Sequence, residues 1–463
     1  MTQVSDTDSF RNQVVREGSV VEDLQRLIPR LDAMGYSELR IGEALSTQPF
    51  TFRRMVHLPV YQARLREFGT LGSAISFFLL QQPLALEELR ACIGDYAISA
   101  LHRMNWLSLG GSGVRCRVQL YPCNGLYFWT DQSAPLEPWS QQVYWLGEDS
   151  YTLAYCTPRL PNGRSLDLCT GSGVHAILAA RHCGTSLGTD INPRALDFGR
   201  LNAQFNGLSV EFRGSDCYAS VDGRFDLITL NPPFAPAPAG TSELYRAGGL
   251  TGEAVTEAVV RGLPDYLNER GIFAMGTEAP RVRHGSPLRR MADWLGPGWG
   301  VAALYKHEFS IEDYVQSHVL ASLDYSQTKA EADYQRWLDV YLEMGITSMV
   351  AAQFFAWRGA DFFAERQLAT PLVDHADLTA DWLAGLASRG PALSLHPGVR
   401  QLYYNQEGVV VEFSDKRWRP ELLRLGAEAA RVLNALSQGP VEAEESLLAE
   451  LTRERVIRRV HNF

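Results

Sequence analysis

Residues 165–234 read SLDLCTGSGVHAILAARHCGTSLGTDINPRALDFGRLNAQFNGLSVEFRGSDCYASVDGRFDLITLNPPF, and three short apolar runs within them each end on an acid or an amide. Leu166-Asp167-Leu168 runs into a glycine turn, Ser186 to Thr189 stops at Asp190, and Phe225 to Leu230 stops at Asn231. Between the first two lies Val174 to Arg181, a helical run with Ala and Leu on one face. Strand, glycine turn, helix, strand, acid is the opening of a parallel sheet whose ligands sit beyond the carboxyl ends of its strands.

Gly171-Ser172-Gly173 lets the backbone approach a ligand closely at a helix N-terminus, though a plain tight turn would look the same. Ala176 stands where the dinucleotide fingerprint has its third glycine. Asp190 follows Gly171 by 19 residues, the spacing at which an acid meets ribose hydroxyls, or else serves as a helix cap. The pair points to an adenosine ligand without choosing NAD over S-adenosylmethionine.

Asn231-Pro232-Pro233-Phe234 makes that choice. Two prolines fix φ and remove two backbone donors, so the chain is stiff and its carbonyls point outward. The Asn231 side-chain oxygen and the Pro232 carbonyl can accept two hydrogen bonds from one NH2 group, and Phe234 offers a face for stacking. Such a clamp aims a planar nitrogen at an electrophile, with rate coming from positioning.

Asp167-Leu168-x-Thr170-Gly171-Ser172-Gly173, Asp190-Ile191-Asn192, Asn202-Ala203, Ser215-Asp216 and Asn231-Pro232-Pro233-Phe234 together resemble class I S-adenosylmethionine-dependent methyltransferases, and most closely the HemK-like branch that methylates glutamine side chains. The similarity continues through Tyr245-Arg246-x-Gly248-Gly249-Leu250 and ends at the strand Gly271 to Met275. It implies a Rossmann-like α/β core and S-adenosylmethionine as methyl donor. It also implies that Asp167, Thr170, Gly171 and Gly173 line the methionine end, with Asp190 and Asn192 at the ribose, Asp216 at the adenine amine, and Asn231 and Pro232 on the acceptor nitrogen. Phe234 departs from the Tyr usual in the glutamine enzymes, which leaves the acceptor open. Substrate contacts are expected from Asn231, Pro233, Phe234, Glu243 and Tyr245.

The chain has 463 residues, 46% hydrophobic and 21% charged, enough for two or three soluble domains. The net charge of −10 argues against a polyphosphate partner. Seven cysteines without a C-x-x-C pair suit reduced thiols in a cytoplasmic protein and speak against zinc. No apolar run is long enough to span a bilayer.

Residues 1–157 are predicted as a winged-helix-like α+β domain: helices at 71–81, 84–93 and 95–107, then a hairpin of Arg115–Leu120 with Leu126–Thr130 across Asn124-Gly125. Its reading helix would carry only His102 and Arg103 against Asp95, so packing or substrate capture is preferred to nucleic-acid binding. Residues 158–361 form the methyltransferase domain, with a loop at Glu278–Pro287 carrying Arg281, Arg283 and His284. Strands at 299–308 and 345–357 close a seven-stranded sheet around an insert whose Asp313, Tyr314 and His318 fall on one helix face, read as solvated. Residues 362–463 form a small C-terminal α+β domain that serves as lid, cap or dimer surface, with helices at 378–389, 420–438 and 442–461 and strands at 392–395 and 401–413.

The expected activity is N-methylation of a planar amide or guanidine nitrogen. A small molecule or free amino acid, arginine included, is put first, with Glu243 as a carboxylate for a guanidinium. The alternatives are a protein glutamine, a nucleic-acid base, and a non-catalytic regulator that senses the cofactor.

Overall fold

The computed structural model describes residues 19–47, 54–133, 141–159, 161, 163–237, 248–282, 286–319, 327–359, 362–367, 392–395, 399–405, 408–413, 422–426 and 457–460. Residues 1–155 and 160–373 make up one compact unit, and 156–159 with 374–463 a second.

Four hairpin strands precede the main sheet: β1 (Leu107–Gly110), β2 (Gly113–Cys116), β3 (Gln119–Cys123) and β4 (Leu126–Thr130). The sheet itself is built from β5 (Arg164–Leu168), β6 (Thr185–Asp190), β7 (Glu211–Gly214), β8 (Phe225–Leu230), β9 (Leu267–Val282), β10 (Trp299–Ser310), β11 (Ile346–Arg358) and β12 (Phe362–Gln367). Their order is β12-β10-β11-β9-β8-β5-β6-β7, and only β11 runs against its neighbours. The order reverses between β5 and β8, so the ends of those two strands open a crevice for ligands. β5 and β8 carry the apolar runs of buried parallel strands, and Leu166, Leu168, Ile228 and Leu230 are wholly buried.

The sheet has eight strands, not the expected seven. Phe362–Gln367, assigned from sequence to the C-terminal domain, pairs in parallel with β10. Phe363 packs against the sheet's core, with the Arg289 guanidinium 5.3 Å from its ring centroid. β9 corrects a second expectation, because Glu278–Val282 continues the strand and pairs with β11 instead of forming a loop. Proline is tolerated at 280 because β8 pairs with β9 only as far as Met275, which leaves one side of β9 without a ladder beyond that point. The Pro280 carbonyl accepts from Arg290, 2.9 Å away.

At the N-terminal end, helices Gly69–Phe78 and Leu86–Arg103 pack beside the β1–β2 hairpin, and Leu84 bridges to Val114. Leu86–Arg103 is kinked at Gly94 (φ 79°). The second hairpin differs from expectation in register: β3 starts at Gln119, and Arg115–Cys116 belongs to β2. Asn124 (φ 51°) and Gly125 (φ 75°) both take the left-handed conformation that a two-residue hairpin turn requires. Arg103 is paired with Asp23 inside the fold.

This hairpin packs against the helix Pro193–Phe205. The Asn202 amide is wholly buried and bonds both the N–H and carbonyl of Trp129 and the carbonyl of Ser172, at 2.8–2.9 Å. Trp129 fills the joint, with Phe78, Trp106 and Phe205 at centroid distances of 5.5, 5.3 and 5.8 Å. One apolar core thus runs from the N-terminal helices to the helix that follows Asp190. The insert carries a helix, Ile311–Val319; Asp313 bonds Ser310 at its start, while Tyr314, expected on a solvated face, is 1% exposed and packs on Tyr341. The His318 side chain lies outside the described residues.

In the second unit, β13 (Ala392–Leu395) pairs with β17 (Ile457–Val460), and β14 (Val399–Asn405), β15 (Gly408–Phe413) and β16 (Leu422–Gly426) form a meander. β16 and β17 replace portions of predicted helices: β16 completes the meander beside β15, and β17 completes a ladder with β13, a partner far off in sequence. The helix predicted at 378–389 lies outside the described residues.

Candidate active site

The turn after β5 is held by two acids. Thr170 N–H donates to the Thr189 carbonyl (2.9 Å), and Gly171 N–H to Asp190 Oδ2 (2.9 Å). Asp190 Oδ1 accepts from Asn192 N–H at 2.9 Å, so one carboxylate ties the glycine turn to the end of β6. Burial raises the Asp190 pKa, and these backbone donors oppose the rise. Gly171 has φ 52°, and a Cβ there would meet nothing within 4 Å, because the position opens on the cleft. At Gly173 a Cβ would stand 3.0 Å from both Gly199 Cα and the Phe212 ring, so this glycine serves helix packing.

Asp167 stands behind the turn. Its carboxylate accepts from Thr170 Oγ1 (2.6 Å), Thr229 Oγ1 (2.8 Å) and Ala176 N–H (3.2 Å). Desolvation pushes its pKa up to about 7 against those hydrogen bonds. Asp167 and Gly173, expected at the methionine end, therefore brace the wall instead of lining it. Asn192 caps the helix Pro193–Phe205, accepting from Arg194 N–H at 3.0 Å, and also borders the cleft.

β8 delivers Asn231 to the same mouth. Asn231 Nδ2 donates to Asp149 Oδ2 (2.7 Å) and Ser150 Oγ (3.2 Å). A carboxylate can only accept, so Asp149 sets the orientation of the amide. Asn231 Oδ1 is consequently left buried without a hydrogen-bond partner. The Tyr144 hydroxyl donates to Asp149 Oδ1 (2.9 Å), and burial, the dominant influence, raises the Asp149 pKa. Gly147 leaves room for this pair, since a Cβ there would stand 2.3 Å from the Tyr144 hydroxyl.

The Pro-Pro-Phe segment is latched from outside by glycines. Gly248 N–H donates to the Ala235 carbonyl at 3.0 Å. A Cβ on Gly248 would be 2.6 Å from the Pro233 carbonyl, and one on Gly252 (φ 75°) 2.2 Å from that of Phe234. Glu243 and Tyr245 lie outside the described residues.

Together these parts wall a cleft of about 390 Å³, within the range of small-molecule sites. Thr170, Gly171, Asp190, Asn192 and Asp216 line it beside Asn231, Pro232, Pro233 and Phe234. The sequence reading missed Asp149, Ser150 and the segment Gln142–Leu146, which also line it. That segment is anchored where Asp131, ion-paired with Arg194, accepts from Val143 N–H at 2.9 Å. The one local signal was an acid pair, Glu148-Asp149, opening a helix after Gly147. Cys169 and Cys217 line the cleft as protonated thiols: burial raises both, Cys217 to about 11. His175, lowered by burial to about 4, is a neutral wall residue.

S-adenosylmethionine fits this site: an open glycine turn, acids at the ends of β6 and β7, and an acceptor oxygen lacking a donor at the mouth. Among the described residues no helix is long and apolar enough to cross a membrane.

The family described as "Methyltransferase small domain" matches residues 148–275, from the helix bearing Asp149 to the middle of β9. A putative protein N5-glutamine methyltransferase of Methanocaldococcus jannaschii is 32% identical over 141 residues, covering 28% of this chain and 70% of the relative. A ribosomal protein uL3 glutamine methyltransferase of Bradyrhizobium diazoefficiens is 36% identical over 122 residues, 23% of this chain and 38% of the relative. A ribosomal RNA small subunit methyltransferase C of Aeromonas hydrophila is 36% identical over 119 residues, 25% of this chain and 32% of the relative. The chain thus spans well under half the length of the last two. Fold, cleft and relatives agree: the chain belongs to the class I S-adenosylmethionine-dependent N-methyltransferases, in the HemK-like branch.

Proposed function

We propose that the cleft methylates the side-chain amide nitrogen of a glutamine carried on a protein or peptide. The observation that carries this reading is the buried Asn231 Oδ1, which has no donor of its own because Asp149 holds the other end of the amide. An acceptor NH2 supplies two donors, one for Asn231 Oδ1 and one for the Pro232 carbonyl. Their acceptance stops rotation about the amide C–N bond and returns electron density to a nitrogen whose lone pair is otherwise delocalised. Phe234 and the Pro-Pro segment cover the flat face. S-adenosylmethionine supplies an electrophilic methyl group on a sulfonium. As the new N–CH3 bond forms and the S–CH3 bond breaks, the amide sheds one proton to solvent, so no strong base is required of the chain. Asp149 is a positioning residue, in contact with Asn231 and not with the reacting atoms.

The relatives named for glutamine favour a side-chain amide over the small molecule or free amino acid put first from the sequence. The test offers labelled S-adenosylmethionine with three pools: free amino acids, ribosomal and release-factor protein, and total RNA. Label in protein, found as N5-methylglutamine after enzymatic digestion, is the expected result. Label confined to amino acids or to RNA would overturn the reading.

A further inference from the structure

His175 stands two residues beyond Gly173, in the first turn of the helix Val174–Ala179, and lines the cleft with 7% of its surface exposed. Among the described residues its imidazole has no hydrogen-bond partner, and burial alone acts on its pKa. The acids of the lining are Asp149 from the helix Glu148–Cys156, Asp190 at the end of β6 and Asp216 after β7. No Lys or Arg is among the described residues that line the cleft, so His175 is the one side chain of that lining able to carry a positive charge.

S-adenosylmethionine brings a carboxylate into this acidic wall, and a buried carboxylate is tolerated only when it is paired or hydrogen-bonded. The glycine turn has already spent several of its donors. The N–H groups of Thr170 and Gly173 go to the carbonyls of Thr189 and Thr170, at 2.9 and 2.8 Å. Those of Gly171 and Ala176 go to Asp190 and Asp167, at 2.9 and 3.2 Å.

We propose that His175 receives the methionine carboxylate of S-adenosylmethionine, donating a ring N–H to one of its oxygens. The methionine end is the part of the cofactor expected over the Gly171 turn, and His175 is the imidazole that follows that turn. A neutral imidazole carries one N–H, on the nitrogen its partner selects, and a neighbouring carboxylate also favours the protonated ring. Imidazole bonds to neutral groups too, so the decisive comparison removes the carboxylate and leaves the remainder of the ligand intact. The inference holds whichever acceptor is methylated.

Calorimetry on the full-length protein compares S-adenosylhomocysteine with its decarboxylated counterpart, in which hydrogen replaces the carboxylate, in wild type, His175→Gln and His175→Leu. Wild type should prefer the carboxylated compound by about tenfold or more, as for a charge-assisted hydrogen bond. His175→Leu should lose that preference by binding S-adenosylhomocysteine more weakly, with affinity for the decarboxylated compound unchanged. His175→Gln keeps an N–H donor and should retain part of it. Equal losses for both compounds would assign His175 to packing, and a preference untouched in both variants would place the carboxylate elsewhere; either result overturns the proposal. A pH series on wild type needs no variant. A carboxylate partner lifts the His175 pKa above its value of about 4, so binding takes up a proton and the preference should widen several-fold as pH falls from about 7 to about 5. Asp149, Asp190 and Asp216 face both compounds alike and cancel in the ratio. A preference independent of pH also overturns the proposal.

Discussion

Asp149→Asn tests the link between a residue outside the recognised motifs and the acceptor clamp. In the native arrangement, Asp149 accepts from Asn231 Nδ2 at 2.7 Å and from the Tyr144 hydroxyl at 2.9 Å, one bond per carboxylate oxygen. Asparagine has a single oxygen. If that oxygen keeps Asn231, the Tyr144 hydroxyl has to turn and accept from the new NH2; if it keeps Tyr144, its NH2 confronts the Asn231 NH2, and Asn231 relieves the clash by turning over and presenting NH2 to the cleft. The acceptor nitrogen then meets a donor where it needs an acceptor. Loss of a hydrogen bond to a charged group amounts to about 1.5–3 kcal/mol, which at 1.36 kcal/mol per decade predicts a fall in kcat/KM of roughly 10- to 150-fold. The fold should survive, because the substitution is isosteric and the Ser150 hydroxyl, which now accepts from Asn231, can donate to the amide oxygen once it turns over. Labelled methyl transfer to a glutamine peptide gives kcat/KM, and calorimetry gives S-adenosylmethionine affinity, expected within about twofold of wild type. Turnover unchanged within about threefold, or a loss wholly matched by weaker cofactor binding, would refute the reasoning.

Asn231→Ala removes the amide itself and should lower kcat by about 10²–10³ while cofactor binding persists, the usual cost of deleting one positioned hydrogen-bonding group at a reacting centre; unchanged turnover would remove its role. Gly252→Ala forces a Cβ to 2.2 Å from the Phe234 carbonyl at a φ of 75°, so the latch over the clamp must shift. Denaturant unfolding should register a loss of about 1–3 kcal/mol, together with reduced turnover. Asp167 predicts a pH dependence of stability. Its folded pKa, pushed up to about 7 by burial, exceeds its unfolded value, so the folded state holds a proton that the unfolded state has released. Stability from this group is complete below about pH 4 and declines as pH rises to about 7. Wild-type Tm should therefore fall between pH 5 and 8 by more than that of Asp167→Asn, as followed by calorimetry at both values; parallel Tm profiles would dismiss the effect.

Much of the catalytic half was legible in the chain. Short apolar runs, the Gly171 turn, Asp190 at a strand end and the Asn231-Pro232-Pro233-Phe234 segment are local features, since each depends on residues a few positions apart. Gly248 was legible as part of a motif, but not its reason, the close passage of the Pro233 carbonyl, nor the need for Gly252 beside the Phe234 carbonyl. Asp149 was invisible because the partner that gives it meaning stands 82 residues away. Asp167 and Gly173 matched the motif and yet face away from the cleft, because the hydroxyls of Thr170 and Thr229 and the ring of Phe212 claim them.

Strand limits went astray wherever a neighbour decides them. Pro280 argues for a loop until β8 is seen to stop pairing at Met275, and Phe362–Gln367 becomes a strand only because β10 offers it an edge. Sequence by itself determined the reaction chemistry, the cofactor class and the opening strands of the parallel sheet, because a nucleotide turn and a proline-stiffened clamp are encoded in short contiguous runs. Tertiary structure alone decided which oxygen of the clamp is free and what surrounds it. Hydrogen-bond donors and acceptors are assigned by contact across the fold, and no local pattern records which residue will arrive to take them.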